Sequence, residues 1–367
     1  HLSAIDKSGF SVEEFSSNSP FLVSSQGFKF KNLHLKSHAT DINIDLQFIY
    51  DGYSGFTKFV DSIMIIANIK ETQLTLSDLK YFSQTMGKMT DTLQISGLIN
   101  GFVRDFTANN FSFSFKDSTN FLGTIKMRGL PNFFETHIVG EVEKMNFTYQ
   151  DLAEFAIPTP TRKIPLPEML SSIKSALLSG EFYGFHNNFN TNFNLHTNIG
   201  NIYFNGALNN DLLIVPKPYY FYSLHANNLN VKKLLGMKDD ILVSFASDMS
   251  GEGMSKNDAN LEVNFNIEKL KLFNNNFSNI DVNGIYKNQK LTASTNIKSE
   301  LIGLDFDGTM DISDEKPSFI VDANIDKADL NRLNILKLND KMLLTTELKA
   351  EFYGSDIDEM LGNVILR

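Results

Sequence analysis

The chain has 367 residues, 42% of them hydrophobic and 21% charged, a balance that is ordinary for a folded chain of one to three domains. Its net charge of −10 argues against nucleic-acid binding, because such proteins need a basic stripe of Lys and Arg that displaces counterions. Cysteine is absent, which excludes disulfides, thiolate catalysis and cysteine-based zinc sites. No apolar run approaches the length of a membrane-spanning helix, and the first residue is His1, so we expect a piece of a longer protein.

Segments in which apolar and polar residues alternate recur from end to end of the chain. Alternation with a period of two predicts strands with one apolar and one polar face. The clearest segments are Phe28–Lys31, Ile42–Phe48, Phe111–Phe115, Phe189–His196, Leu261–Ile267 and Leu304–Ile312. The turns between strands are rich in Asn and the connections are too short for crossover helices. The sequence therefore predicts an all-β, mostly antiparallel fold.

Four of these segments supply the apolar residues that we expect to share one face of the sheet. They are Phe111, Phe113, Phe115, Phe189, Phe193, Leu195, Leu261, Val263, Phe265, Ile267, Leu304 and Phe306. In the Phe189 segment the other face carries only Asn190, Asn192, Asn194 and His196. Alternation predicts that one face needs cover, but it does not say whether more protein or a ligand provides it. Both alternatives stay open on the residues alone.

The segment from Pro165 to Gly180 departs from this alternation. Two prolines stand at its start, Gly180 stands at its end, and Met169, Leu170, Ile173 and Leu177 recur at helical spacing. These signals predict an amphipathic helix over Glu168–Leu178, and we expect it to pack on the end of a sheet. A membrane-surface role is less favoured, because the apolar face is short and Lys174 is its only basic residue.

A repeat of low fidelity runs through the chain. Its copies are Ile69–Phe82, Val142–Phe155, Leu224–Met237 and Ile325–Leu338, and each reads as a strand end followed by a short helical turn. Such repetition predicts stacked β units that contact mainly their neighbours, although four strand corners of any large β protein could look alike. We therefore expect a β segment over residues 1–164 with repeats ending near 82 and 155, a helix and connection over 165–180, and a β segment over 181–367 with repeats ending near 237 and 338.

Catalytic signatures are scarce. Leu301–Ile312 is similar to the nucleophile motif of haloacid-dehalogenase-type phosphatases, but Asp305, Asp307 and Asp311 share one face of an alternating segment, which predicts solvated carboxylates on an antiparallel strand. The one spaced histidine pair, His34 and His38, would lie ~13 Å apart along a strand. No nucleophile elbow, phosphate loop or dinucleotide fingerprint occurs. We predict a protein that is not an enzyme and that has no catalytic residue, metal site or cofactor.

Longer stretches of the chain carry a family resemblance. They are Asp45–Ile63, Leu76–Phe82, Ile95–Phe115, Ile125–Leu152, Gly180–Phe189 and Ile280–Ile297. In their order and spacing they resemble the N-terminal half of the TamB family of translocation and assembly proteins, of Bacteroidetes type, which belongs with the AsmA-like repeating-groove proteins. The resemblance covers most of the chain.

The resemblance implies an elongated, curved antiparallel sheet, or β-taco, with a few short helices, in the periplasm of a cell whose inner membrane anchors the parent protein. It also implies a concave groove that carries phospholipid acyl chains to the outer membrane, and an Omp85-class barrel as partner through parts of the parent outside this chain. On this interpretation the apolar residues named above line the lipid groove. The alternatives are a structural spacer or chaperone-like β-edge for outer-membrane protein assembly without lipid conduction, and an unrelated β-sandwich binding module.

Overall fold

The fold is all-β, an antiparallel open sheet with a few short helices, so the fold class predicted from alternation is confirmed. The computed structural model describes residues 4–5, 11–17, 21–37, 39–81, 89–155, 166–213, 215–272, 275–335, 342–354 and 361–367. The chain divides into two units, His1–Asn198 and Ile199–Arg367. The β segments predicted from the repeat, 1–164 and 181–367, stay a prediction.

The first unit contains the following strands: β1 (Ala4–Ile5), β2 (Ser11–Ser17), β3 (Leu22–Ser24), β4 (Gly27–Ser37), β5 (Asp41–Ile49), β6 (Met64–Thr75), β7 (Thr92–Phe102), β8 (Asp105–Phe115), β9 (Thr119–Arg128), β10 (His137–Phe147), β11 (Ala176–Phe185) and β12 (Asn188–Thr197). From β4 to β12 each strand pairs with its neighbours in the sequence, and β2 and β3 both pair with β4. Its α-helices are α1 (Phe59–Ser62) and α2 (Tyr149–Glu154), and 3₁₀ turns cover Tyr53–Lys58, Leu76–Tyr81, Phe133–Glu135 and Glu168–Ser172.

The second unit contains β13 (Gly200–Asn209), β14 (Tyr219–Asn230), α3 (Val231–Leu235), β15 (Leu242–Glu252), β16 (Asn260–Leu272), β17 (Asn275–Phe277), β18 (Ile280–Lys287), β19 (Lys290–Lys298), β20 (Ile302–Asp311), β21 (Ser318–Asp329), β22 (Leu343–Tyr353) and β23 (Leu361–Leu366). Sequence neighbours pair here too, except that β17 and β18 both pair with β16. Most neighbouring strands are joined by tight turns, as the sequence predicted, and the longer connections contain the short helices and 3₁₀ turns.

The helix predicted over Glu168–Leu178 is wrong for most of its length. The structure has a 3₁₀ turn at Glu168–Ser172, and the chain then becomes strand β11, which pairs with β10 on one side and β12 on the other. Two ladders of backbone hydrogen bonds outweigh a local helical preference of a few tenths of a kcal/mol per residue. Gly180 is no helix stop: it lies within β11 at φ 152°, where the backbone of Phe193 passes too close for a side chain.

The four repeated segments share a backbone hydrogen bond. In each, the first residue of the turn after the strand donates its N–H to a carbonyl just ahead of the next strand: Leu76 to Asp91 at 2.9 Å, Tyr149 to Ile173 at 3.3 Å, Val231 to Ile241 at 3.0 Å and Leu330 to Met342 at 3.0 Å. We call these four places the corners. Because a main-chain bond defines them, side chains are free to vary, which explains the low fidelity of the repeat. Residues 82 and 338, near which two repeats were predicted to end, lie outside the described residues.

Three of the corners are also capped by a side chain. Thr148 Oγ1 accepts from the N–H of Asp151 at 3.1 Å, Asn230 Oδ1 accepts from the N–H of Lys233 at 2.9 Å, and Asp329 Oδ1 accepts from the N–H of Arg332 at 3.1 Å. Such a cap contributes about 1 kcal/mol, enough to hold a single helical turn that would not persist alone. These caps therefore hold the turn at three of the corners in place.

Bulges keep the apolar residues in phase along the strands. Asn32, Asn110 and Asn228 adopt positive φ of 49°, 46° and 51°, and each lies at a register shift in its strand. One extra residue would otherwise turn every later side chain to the opposite face. With the bulge, Leu33 stays on the face of Phe30 and Phe111 on the face of Ala108. A further bulge lies in β7, where the register against β8 shifts between Ser96 and Leu98.

Candidate functional site

Three adjacent rows of residues cross the second unit on one face of its sheet. Cross-strand partners share a face, so the register defines each row. The middle row, from β14 to β22, is Tyr222, Met249, Val263, Gly284, Ala293, Gly308, Val321 and Ala350. The row on the corner side is Leu224, Ser247, Phe265, Val282, Thr295, Phe306, Ala323 and Leu348, and the row on the other side is Tyr220, Gly251, Leu261, Tyr286, Leu291, Met310, Phe319 and Phe352. We call these rows the uncharged face of the second unit.

The large side chains of this uncharged face are half-buried. Leu261, Val263, Phe265 and Phe306, four of the residues predicted to share the face, are covered on their flanks by neighbours in their own sheet. Between them on the same strands, the residues of the polar face are exposed: Glu262, Asn264, Asn266, Asp305 and Asp307. A sandwich core covers such side chains fully, as in close-packed protein interiors. The uncharged face is sheltered but accessible.

The first unit presents a face of the same kind across β8 to β12. One of its rows is Phe111, Gly123, Val142, Gly180 and Phe193, and the next is Phe113, Phe121, Met145, Leu178 and Leu195. Phe189 lies in a third row, opposite Gly184. The register thus brings together predicted residues from two segments far apart in the sequence, and Asn190 and Asn194 point to the other face, where they are exposed.

Three of the predicted residues lie at or near the corners. Phe115 is 3% exposed and packs edge to face on Phe155, at 5.2 Å between ring centroids, just after α2. Ile267 packs against a buried cluster made by Phe277, Ile280, Leu301, Ala328, Leu330 and Leu333, which we call the closed cluster. Leu304 pairs with Ile325, another residue packed against that cluster. Within each unit, the predicted set therefore includes both covered and accessible residues.

Several residues of the uncharged faces were missed by the sequence analysis. Phe182 contacts Phe189 at 5.2 Å, Phe245 contacts Phe265 at 5.8 Å, and Phe319 contacts Phe352 at 5.0 Å between ring centroids. The signal was present in the continued alternation of β21, where Phe319, Val321 and Ala323 follow one another at a period of two. Only the register shows which of these alternating segments lie side by side.

Charged groups pair with each other on the polar face. Lys70 lies 2.8 Å from Asp45, Lys349 lies 2.9 Å from Asp322, and each pair bridges neighbouring strands. The backbone N–H of Asn32 and the ammonium of Lys70 hold the pKa of Asp45 below its usual range. On the uncharged face, burial raises the pKa of the Tyr220 phenol. The two faces thus differ in charge.

The segment Leu301–Ile312, which is similar to a phosphatase motif, contains the antiparallel strand β20, which pairs with β19 and β21. Asp305 and Asp307 are exposed on its polar face, as the alternation predicts, and the Asn296 amide donates to Asp305. Within the described segments no group of three or more His, Asp or Glu side chains could hold a metal ion. His38 lies outside those segments, and His34 contacts Asp41 at 2.9 Å.

Over the same segments, none of the helices has the length and apolar character needed to cross a membrane. No protein-family model, curated protein or solved structure matches the chain. The class that the structure defines is therefore an all-antiparallel open-sheet protein with one uncharged, accessible face in each of its units.

Proposed function

We propose that the protein binds the acyl chains of lipids on the uncharged faces of its sheet and supports the passage of phospholipid through an aqueous compartment. The observation that carries this proposal is the half-burial of large apolar side chains, such as Phe265 and Phe306, in rows without a single charged residue. Monomeric soluble proteins rarely leave such continuous apolar area without a use.

The chemistry of the face suits a hydrocarbon chain. Each buried methylene group of a lipid contributes about 0.8 kcal/mol, so a chain lying along the rows gains affinity without any charged recognition group. Phenylalanine is well suited to such contact, because its ring has no N–H or O–H that would need a hydrogen-bond partner. The paired charges of the polar face, such as Lys349 with Asp322, keep the opposite side in water.

The resemblance to the TamB family supports a more specific version of the proposal. In that version the chain is a periplasmic segment of an inner-membrane-anchored protein, and phospholipid moves along it towards the outer membrane. An Omp85-class barrel is then the partner of other parts of the parent protein. The antiparallel open sheet and the recurring corners are compatible with such a segment, and the resemblance itself is the argument for compartment and partner.

Lipid analysis of the purified protein tests the proposal. The chain is expressed in a Gram-negative host with export to the periplasm, purified without detergent, and extracted for mass spectrometry of phospholipids. We expect bound phospholipid in excess of that carried by a β-sandwich protein of similar size purified in parallel. Protein free of lipid would overturn the proposal and favour the alternative role as a spacer or β-edge in outer-membrane protein assembly.

A further inference from the structure

Two phenylalanine rings of the second unit lie down on glycines of their own strands. A methyl group at Gly308 would come within 2.7 Å of Phe306 Cζ, and one at Gly206 would come within 2.8 Å of Phe204 Cζ. Side chains in strands lean along the strand direction, so a ring can cover the residue two positions on when that residue has no side chain. In both strands the glycine is the recess that receives the ring.

The Gly308 recess lies where the uncharged face is lowest. Gly308 stands in the middle row beside Ala293 and Gly284, three consecutive strands with the smallest side chains of that row. Larger residues flank this stretch in the outer rows, among them Tyr286, Met310 and Phe306 itself. The ring of Phe306 leans from its own row towards this low stretch, so its height above the sheet decides how much room remains there.

We propose that Gly308 sets the clearance of the uncharged face for a hydrocarbon chain by letting Phe306 lie flat, and that Gly206, which pairs with Tyr222 of the middle row, does the same for Phe204. This inference rests on the proposed function and names the residues that determine which chains the face admits. A methyl group at Gly308 must move the ring from 2.7 Å to an ordinary carbon contact of about 3.5–4.0 Å, a rise of about 1 Å. For an acyl chain that lies along the middle row, that rise removes contacts on one side of the chain.

Gly308→Ala is a clean variant for this purpose. The three atoms nearest to the added methyl all belong to the ring of Phe306, and the backbone at Gly308 does not adopt the positive φ that would strain an alanine. Gly303→Ala is the matched control on the same strand: its methyl would lie on the polar face, 3.4 Å from Asp326 Cβ, away from any ring. Both variants add one methyl to β20, and only one of them moves a ring.

The experiment measures extraction of fluorescent phosphatidylcholine from dioleoyl phosphatidylcholine vesicles, together with thermal melting of each variant. We expect Gly308→Ala to bind about tenfold more weakly than wild type, the loss that corresponds to contact with about two methylene groups. Gly303→Ala should bind like wild type, and both should melt cooperatively. Adding Phe306→Leu to Gly308→Ala should recover most of the lost binding, because leucine does not reach over the alanine.

Any other outcome contradicts either the clearance inference or the proposed function. If wild type extracts lipid and Gly308→Ala extracts it equally well, the clearance inference is wrong and the proposed function stands. If Gly308→Ala unfolds, or if Phe306→Leu fails to rescue it, the ring is fixed structure and the inference is again wrong. If wild type extracts no lipid, the proposed function fails, and the inference fails with it.

Discussion

The closed cluster and the middle of the uncharged face lie on the same side of the second unit, yet they are covered differently. At the corner, Leu330 and Leu333 follow β21 and fold over Ile280 and Leu301, so that these four side chains are at most 9% exposed. A few positions along the strands, Val263 and Phe265 lie outside that cluster and are half-buried. The strands of both regions carry apolar side chains on this face. The difference in exposure comes from Leu330 and Leu333, which cover only the closed cluster.

This contrast shows where the second unit obtains its stability. A fully buried Leu or Ile side chain contributes about 1.5–3 kcal/mol, and the closed cluster collects several of them at one end of the strands. The middle rows contribute less per residue because part of each side chain still meets solvent. The corner can therefore hold the sheet together while the middle of the face stays available to a ligand.

The largest expected effect comes from placing a charge in each region. Ile280→Asp buries a carboxylate in the closed cluster and opens a cavity, and we expect a loss of about 3–5 kcal/mol in the free energy of unfolding. Val263→Asp, also a β-branched residue replaced by Asp, should cost only about 1–2 kcal/mol because the carboxylate reaches solvent. Urea unfolding followed by circular dichroism gives both values. Equal losses would mean that the middle rows are a closed core.

A charge at Phe193 sharpens the comparison in the first unit. Phe193 is half-buried in the row of Phe111 and Val142, so Phe193→Asp should leave a cooperatively melting protein, with a loss of about 1–2 kcal/mol, while lipid recovered with the protein falls steeply. The control is Asn194→Asp, the next residue on the exposed polar face, which should keep both lipid and stability. An unfolded Phe193→Asp beside a lipid-free wild type would make Phe193 an ordinary core residue.

The sequence predicts those elements of the fold that depend on local interactions. Alternation at Phe111–Phe115 and Leu261–Ile267 correctly predicted strands, because side-chain direction in a strand depends on the backbone alone. It failed at Glu168–Leu178, where leucines fit both periods and pairing with β10 and β12 settles the outcome. Local signals cannot weigh a partner strand that lies ten or more residues away.

The candidate site was predictable in kind but not in extent. The alternation within their own strands predicted that Phe265 and Phe306 share a face. Only the pairing register shows that Val282 and Thr295 lie between them in one row. Bulges at Asn32, Asn110 and Asn228 shift the alternation by one residue, and an Asn at such a break is the signal that sequence reasoning could have used. Nothing local indicates that Leu330 and Leu333 fold back as cover.

A small effect is expected on the polar face of β20. Asp305→Asn together with Asp307→Asn should change the free energy of unfolding by no more than about 0.5 kcal/mol, because both side chains are exposed and asparagine keeps an oxygen for the Asn296 amide. Lipid recovery should equal that of wild type. Hydrolysis of para-nitrophenyl phosphate is measured alongside, and an activity that the double variant loses would show that these carboxylates are catalytic after all.

The smallest expected effect is a pH dependence at the end of β20. The hydroxyl and N–H of Ser313, with help from Lys290 at 3.0 Å, lower the pKa of Asp311 to about 2. Because the folded pKa lies below the usual value of about 3.8, the interaction stabilises the fold above that value and is lost as the pH falls through about 2.

Carbon-13 NMR of the Asp carboxyls should show the Asp311 carboxyl titrating near pH 2, a signal that is absent in Asp311→Asn. In Ser313→Ala the backbone N–H remains, so the midpoint should rise only part of the way towards the usual value. A wild-type midpoint near the usual Asp value would mean that this turn contributes nothing to the difference between the two faces.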